Sequence, residues 1–129
     1  MILGIGVDIL QLIRFKSLTS RRGIERVARR ILSQEELVEF DHRLGSTVAP
    51  GDLLKYLAVR WAVKEAAYKA LYPSYKATWK ELTLLRQDST PKPALVFTRS
   101  RTDGHRLRLH VSISHDGDYV IAQVVAETP

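Results

Sequence analysis

The segment RWAVKEAAYKALY, residues 60–72, places charged side chains inside an otherwise apolar helical pattern. Residues three and four positions apart form one apolar stripe on such a helix, and Glu65 lies within it. The stripe consists of Leu54, Leu57, Ala58, Trp61, Tyr68 and Tyr72. A buried carboxylate is costly unless it is paired or binds a metal, so Glu65 needs a specific compensation.

Two compensations for Glu65 are open from the pattern alone. Lys69 follows four residues later, in the favourable order for an intrahelical ion pair that satisfies both side chains. The other compensation is a divalent cation, which would need a second ligand from elsewhere in the chain.

Asp8 is the candidate for that second ligand. In ILGIGVDIL, residues 2–10, the alternation predicts a strand that buries Leu3, Ile5, Val7 and Ile9 and presents Gly4, Gly6 and Asp8 on its other face. Alone, Asp8 would be an acid in water or a helix cap, whereas two converging carboxylates would suit magnesium. The third glycine of a dinucleotide-binding loop is missing.

A third stretch that could carry chemistry, after the helix and the N-terminal strand, is SISHDGDYVIAQV, residues 112–124. It is a predicted hairpin with His115 at its turn. A turn histidine is usually only solvated. No nucleophile elbow accompanies the serines, and the four histidines show no metal-ligand spacing.

The remaining pattern predicts an α+β domain, with an antiparallel sheet packed around a long central helix. Gly23 divides residues 11–31 into two short helices, and Ser33 with Glu36 forms a capping box for a helix over 34–40. A loop follows, and Asp52 is expected to cap the long helix, which Pro73 ends near Leu71. The other strands are predicted at 81–87, 94–98, 105–114 and 119–125, with a turn at 100–104.

Composition sets broad limits. The 129 residues suffice for one domain, 1–129, and the formal charge of +6 favours an acidic partner, a phosphate-bearing ligand or a nucleic acid. The absence of cysteine excludes disulfides, a thiol nucleophile and cysteine-ligated zinc. No apolar run is long enough to span a bilayer, so no membrane partner is expected.

Taken together, GIGVDI, RWAVKEAAYKA and VSISHDGDYVIAQV resemble the three signature blocks of the holo-acyl-carrier-protein synthase family, the short type of 4'-phosphopantetheinyl transferase. The resemblance implies Mg²⁺-dependent transfer of phosphopantetheine from coenzyme A to a serine of an acidic apo acyl carrier protein, with release of adenosine 3',5'-bisphosphate. It also implies a homotrimer with interfacial active sites and no nucleic-acid partner. The carrier could serve fatty-acid, polyketide or peptide synthesis.

The resemblance also implies roles for individual residues. Asp8 and Glu65 match the metal-binding acids, with Glu65 and Lys69 as the catalytic pair. The coenzyme A site matches Arg60, Lys64, Lys69 and His115. The surface for the acidic helix of the carrier protein matches Arg14 and, more loosely, Arg21.

The chain departs from the family pattern after the long helix. LYPSYKATWKEL replaces a glycine-containing loop, and HRLGSTVAPGD has no counterpart to basic residues that a neighbouring subunit supplies. These features are more similar to eukaryotic organellar members and predict a mitochondrial protein, with the bacterial cytoplasm as the alternative. Two rival functions remain: a basic nucleic-acid-binding domain without catalysis, and a catalytically silent carrier-binding module.

Overall fold

The computed structural model describes residues 1–47, 49–102 and 106–129. Five strands form one antiparallel sheet in the order β1-β5-β4-β3-β2. They are β1 (Ile2–Gln11), β2 (Leu82–Leu85), β3 (Ala94–Phe97), β4 (Arg108–Asp116) and β5 (Tyr119–Glu127). The helices are α1 (Leu12–Arg22), α2 (Ile24–Ile31), α3 (Gln34–Leu44), α4 (Pro50–Leu71) and the short α5 (Arg99–Thr102). The predicted α+β class is confirmed.

The long helix α4 is the central element, as predicted. It is buried along most of its length and contributes to two apolar clusters. Its Ala62, Ala66 and Ala70 pack on the sheet, while Leu57 and Ala58 pack against α1–α3. None of the described helices is long and apolar enough to cross a membrane.

Most predicted helix boundaries agree with the structure. Gly23 separates α1 from α2 at a φ of 85°, a conformation that favours glycine. The capping box is present, since the Ser33 amide donates to Glu36 Oε1 at 2.9 Å and the Glu36 amide to Ser33 Oγ at 3.4 Å. The prediction that Asp52 caps α4 is wrong, because the helix begins at Pro50, its N-cap residue is Ala49 without a side-chain cap, and Asp52 lies inside the first turn.

Differences also occur after Phe40. The helix α3 continues to Leu44, beyond its predicted end, and a 3-10 turn at Trp79–Glu81 precedes a β2 that is shorter than expected. The predicted turn at 100–104 and the start of the strand at His105 involve residues 103–105, which lie outside the described residues.

The predicted orientation of β1 is wrong. Its glycine face, not its apolar face, packs on α4: a Cβ on Gly4 would lie 2.1 Å from the Ala70 carbonyl oxygen. The side chains of Ile5, Val7 and Ile9 are consequently 57%, 51% and 63% exposed. The helix backbone comes too close to this strand to leave room for side chains, so the branched residues point away.

Candidate active site

Asp8 and Lys69 meet where β1 crosses α4. Gly6 lets the strand approach the helix backbone, because a Cβ there would lie only 1.8 Å from the Ala66 carbonyl oxygen. The Lys69 ammonium donates to the Val7 carbonyl oxygen at 2.9 Å and to Asp8 Oδ1 at 3.4 Å. The close approach of the backbones therefore brings an acid of the strand to a lysine of the helix.

Glu65 lies beside this pair. Burial, and then the charge of Asp8, raise the pKa of its carboxyl above the usual 4.5, while Lys69 partly opposes the shift. In the parts of the chain that the structure describes, Glu65 forms no ion pair, and Lys69 reaches Asp8 instead. Two neighbouring carboxylates, one of which has a raised pKa because of the other's charge, are a suitable site for a cation.

The donor set fits magnesium. Within residues 1–47, 49–102 and 106–129, no histidine and no third acid lies close enough to Asp8 and Glu65 to make a set of three metal ligands. Magnesium needs only one or two protein carboxylates and completes its octahedron with water and phosphate oxygens. A structural zinc site would require a fuller set of protein ligands than these two acids provide.

Lys64, which the resemblance implied as a coenzyme A ligand, is enclosed in the protein. Its ammonium donates to Glu36 Oε1 at 2.5 Å and to the carbonyl oxygens of Ile31 and Trp79 at 2.6 and 3.0 Å. Burial lowers its pKa to about 8, against the opposing effect of Glu36. Lys64 nevertheless lines, together with Glu65 and Tyr68, a cavity of about 310 Å³ between α4 and the 3-10 turn.

Glu36 is the buried acid that the sequence analysis missed. Its side chain is 1% exposed, and its Oε2 accepts from the Leu84 amide at 3.0 Å. The capping box with Ser33 already explained why an acid stands at Glu36. Nothing in the sequence therefore pointed to Lys64, 28 residues away, as a second partner.

Arg60 and His115 lie on the other side of α4 from Glu65. They line a cavity of about 730 Å³ together with the turn between β2 and β3. Arg60 and Glu65 are about 140° apart around the helix, and β2 and β1 are opposite edges of the sheet. Within this chain, α4 therefore separates Arg60 and His115 from Glu65.

Arg14 and Arg21 project from α1 and are exposed. On the same side of the molecule, α1, α2 and α4 surround a second cavity of about 480 Å³. Its floor includes Trp61 and Trp79, whose ring centroids are 5.0 Å apart. Its rim carries Arg22, Arg26 and Arg30.

Known proteins share this architecture. The family model described as the 4'-phosphopantetheinyl transferase superfamily matches residues 4–124. A holo-[acyl-carrier-protein] synthase from Methylibium petroleiphilum is 36% identical over 133 residues, which cover 99% of this chain and 98% of the relative. The same named protein from Geobacillus sp. is 36% identical over 129 residues, which cover 98% of both chains. These relatives are bacterial and give no support to the mitochondrial location.

Solved structures of proteins with the same name have the same fold as this chain. The holo-[acyl-carrier-protein] synthase from Neisseria meningitidis superposes with a TM-score of 0.79 at 32% identity, covering 99% of this chain and all of that one. The Bacillus anthracis protein, solved in complex with CoA (3',5'-ADP), gives a TM-score of 0.76 at 28% identity, with coverage of 100% and 99%. The chain therefore belongs to the holo-acyl-carrier-protein synthase family within the 4'-phosphopantetheinyl transferase superfamily.

Proposed function

We propose that this chain transfers 4'-phosphopantetheine from coenzyme A to a serine of an apo acyl carrier protein, with Mg²⁺, and releases adenosine 3',5'-bisphosphate. The observation that carries the proposal is the meeting of Asp8, Glu65 and Lys69 where β1 crosses α4. The bacterial origin of the relatives favours the bacterial cytoplasm as the place of the reaction.

The chemistry is a phosphoryl transfer. The serine oxygen of the carrier protein bonds to the phosphorus that bears pantetheine, and the bond from that phosphorus to the bridging oxygen breaks. The electron pair leaves with adenosine 3',5'-bisphosphate. Negative charge grows on the phosphoryl oxygens, and the Lys69 ammonium, which is half-exposed, stabilises it from the position where it now contacts Asp8. The serine proton passes to Glu65 or to a water that Glu65 orients.

Asp8 and Glu65 would hold the magnesium ion. Their mutual repulsion, which contributes to the raised pKa of Glu65, is relieved when a cation binds between them. The ion supplies charge neutralisation at the pyrophosphate. Lys69 lies at the same place and remains available for the phosphoryl oxygens once the cation compensates Asp8.

The complete site requires two protomers. Arg60 and His115 lie across α4 from Glu65, so a coenzyme A molecule that contacts all of them has to bridge a subunit boundary. The outer face of the sheet supports self-assembly, which we propose is a homotrimer, because Ile5, Val7 and Ile9 of β1 are exposed along it. Ile5 faces Val125 and Ile9 faces Ile121, while Val7 between them faces Gln123. Exposed apolar patches of this kind mark protein interfaces.

The carrier protein would dock on α1 and α2. The exposed arginines of these helices, including Arg14 and Arg21, suit an acidic helix, and the cavity over Trp61 and Trp79 offers apolar contact beside them. Since surface charges are screened by salt, the association rate with the carrier should fall as ionic strength rises.

A mass assay tests the proposal. Incubation with coenzyme A, Mg²⁺ and an apo carrier protein should add the mass of one phosphopantetheine to the carrier, and Asp8→Asn or Glu65→Gln should abolish the addition. Glu35→Gln, an exposed acid on α3, is the matched control and should retain activity. Carrier binding without any mass change would support the silent-module alternative. Salt-dependent binding of RNA or DNA that is indifferent to Glu65 would favour the nucleic-acid alternative.

A further inference from the structure

Trp79 is shared by two cavities of the structure. The first, which we name the carrier cavity, is the 480 Å³ space over Trp61 and Trp79. The second, which we name the acid cavity, is the 310 Å³ space between α4 and the 3-10 turn, and Glu65 and Tyr68 line it with Trp79. Of the residues that the structure describes, Trp79 alone lines both of these cavities.

The helix α4 sets the two cavities side by side. Trp61 and Glu65 are four residues apart, so they lie on one face of α4, about 6 Å from each other along its axis. Phe15 and Trp79 both pack on the Trp61 ring, with ring centroids 5.6 and 5.0 Å away. This row of rings begins at α1 and ends at Trp79, which therefore forms the wall between the carrier cavity and Glu65.

Two lysines fix the turn that carries Trp79 to the end of α2. The Lys64 ammonium donates to the carbonyl oxygens of Trp79 and Ile31 at 3.0 and 2.6 Å. The Lys80 ammonium donates to the Leu32 carbonyl oxygen at 2.6 Å. Both ammonium groups thus lie at the C-terminal end of α2, where the helix dipole favours cations. The turn, α2 and α4 are consequently joined at Trp79.

Glu81 fixes the same turn on its other side. The Thr78 amide donates to Glu81 Oε1 at 3.0 Å, and the Arg99 guanidinium donates to both oxygens of the Glu81 carboxylate at 2.8 Å. A two-bond pair of this kind restricts orientation as well as distance. The backbone before and after Trp79 is therefore held, and Trp79 keeps one position relative to both cavities.

We propose that Trp79 is a positioning residue, which contacts the docked carrier protein on one side and the phosphopantetheine donor on the other. The inference rests on the proposed function, which places the carrier over the carrier cavity and the pyrophosphate beside Glu65. Transfer between two bound molecules requires reacting atoms about 3–3.5 Å apart, and a misplacement of roughly 1 Å costs about a hundredfold in rate. A residue that touches both molecules from one fixed position supplies that restraint.

The first test observes each tryptophan alone, since the chain has only two. Trp61→Phe leaves Trp79 as the fluorescent reporter, and Trp79→Phe leaves Trp61. The emission of the Trp79 reporter should change when apo carrier protein is added and, in a separate titration, when coenzyme A is added with Mg²⁺. The Trp61 reporter should respond to the carrier only, because Trp61 does not line the acid cavity. A Trp79 reporter that ignores coenzyme A, or a Trp61 reporter that responds to it equally, would overturn the proposal.

The second test separates kcat from KM. Trp79→Ala should lower kcat about tenfold to a hundredfold and raise the KM of both substrates, and Trp79→Phe, which keeps a ring, should recover most of that loss. Trp61→Ala should raise the KM of the carrier without raising that of coenzyme A. Val38→Ala, at a side chain that is 65% exposed on α3, is the control and should leave all three constants as in the wild type.

Two kinetic results would contradict the assignment of Trp79: a Trp79→Ala chain with the kcat of the wild type, and a loss confined to the KM of the carrier. Urea unfolding shows whether Trp79→Ala is folded in the assay. If it is not, the two fluorescence titrations decide the question, because both use variants that keep an aromatic ring at each position.

Failure of this inference can be told apart from failure of the proposed function. A chain that modifies the carrier, while its Trp79 reporter is unchanged by coenzyme A, would refute the inference and leave the proposed function intact. A chain whose Trp79 reporter responds to both ligands, yet which transfers nothing to the carrier, would refute the proposed function and retain Trp79 as the shared wall.

Discussion

Gly6→Ala should separate Asp8 from Glu65, the two acids of the proposed metal site, without changing either carboxylate. The added Cβ would lie 1.8 Å from the Ala66 carbonyl oxygen and 2.8 Å from the Ala70 nitrogen. Ordinary contact begins at about 3.4 Å, so β1 must move away from α4 by about 1.5 Å. Asp8 moves with the strand, whereas Glu65 and Lys69 stay with the helix.

The displacement of β1 determines both the expected loss of turnover and the expected loss of stability. Since a misplacement of roughly 1 Å costs about a hundredfold in rate, turnover should fall by at least about that factor. Overpacking should lower the free energy of unfolding by about 1–3 kcal/mol or more. Carrier modification by mass spectrometry and urea unfolding measure the two effects. Gly51→Ala is the matched control, because a Cβ there meets nothing within 4 Å. A Gly6→Ala chain with wild-type turnover and stability would refute the reasoning.

Four further predictions concern the acids and the sheet face. Glu65→Gln should abolish transfer yet raise the melting temperature of the metal-free protein at neutral pH. A carboxyl whose folded pKa is raised contributes stability below its unfolded pKa and loses it as pH rises through the folded pKa. In the metal-free protein, the Glu65 carboxyl should titrate above the ordinary glutamate pKa of 4.5, which an NMR pH titration measures. Val7→Lys should prevent assembly, seen by sedimentation velocity, because Val7 lies in the exposed apolar face. Glu36→Gln should lower the free energy of unfolding by about 3–5 kcal/mol in urea, since it leaves Lys64 buried without a counter-charge.

The predictions for Val7 and Glu36 each have a matched control. Val38→Lys changes a valine that is 65% exposed on α3 and should leave assembly intact, whereas assembly of Val7→Lys as in the wild type would contradict the interface. Glu39→Gln removes the charge of a side chain that is 40% exposed and should lower the free energy of unfolding by about 1 kcal/mol or less. A Glu36→Gln chain as stable as Glu39→Gln, or a Glu65→Gln chain that melts below the wild type, would contradict the assigned electrostatics.

The elements could be predicted from sequence because local physics decides them. Gly23 between two short amphipathic helices, Ser33 with Glu36 at a helix start, and Pro73 after α4 each act within a few residues. The orientation of β1 could not be predicted in this way. Alternation shows that two faces differ, and it does not show that a helix backbone will occupy the glycine face.

Glu65 and Glu36 illustrate the same limit for the site. The apolar stripe drew attention to Glu65, but its C-terminal part opens to solvent at Tyr68 and Tyr72, which are 39% and 52% exposed. Glu65 is therefore only half-buried, and the fully enclosed acid is Glu36. Burial of a side chain depends on which distant elements of the fold cover it. The spacing of residues along one helix carries no information about those elements.

The sequence by itself determined the family, the α+β class, and the residue types that the proposed chemistry needs, because these follow from motif blocks and local periodicity. Only the tertiary structure decided that Lys69 reaches Asp8, that Lys64 is enclosed with Glu36, and that α4 separates Arg60 and His115 from Glu65. The physical reason is that each of these depends on packing between segments remote in sequence. The closest approach, between β1 and α4, is possible because Gly4 and Gly6 have no side chains.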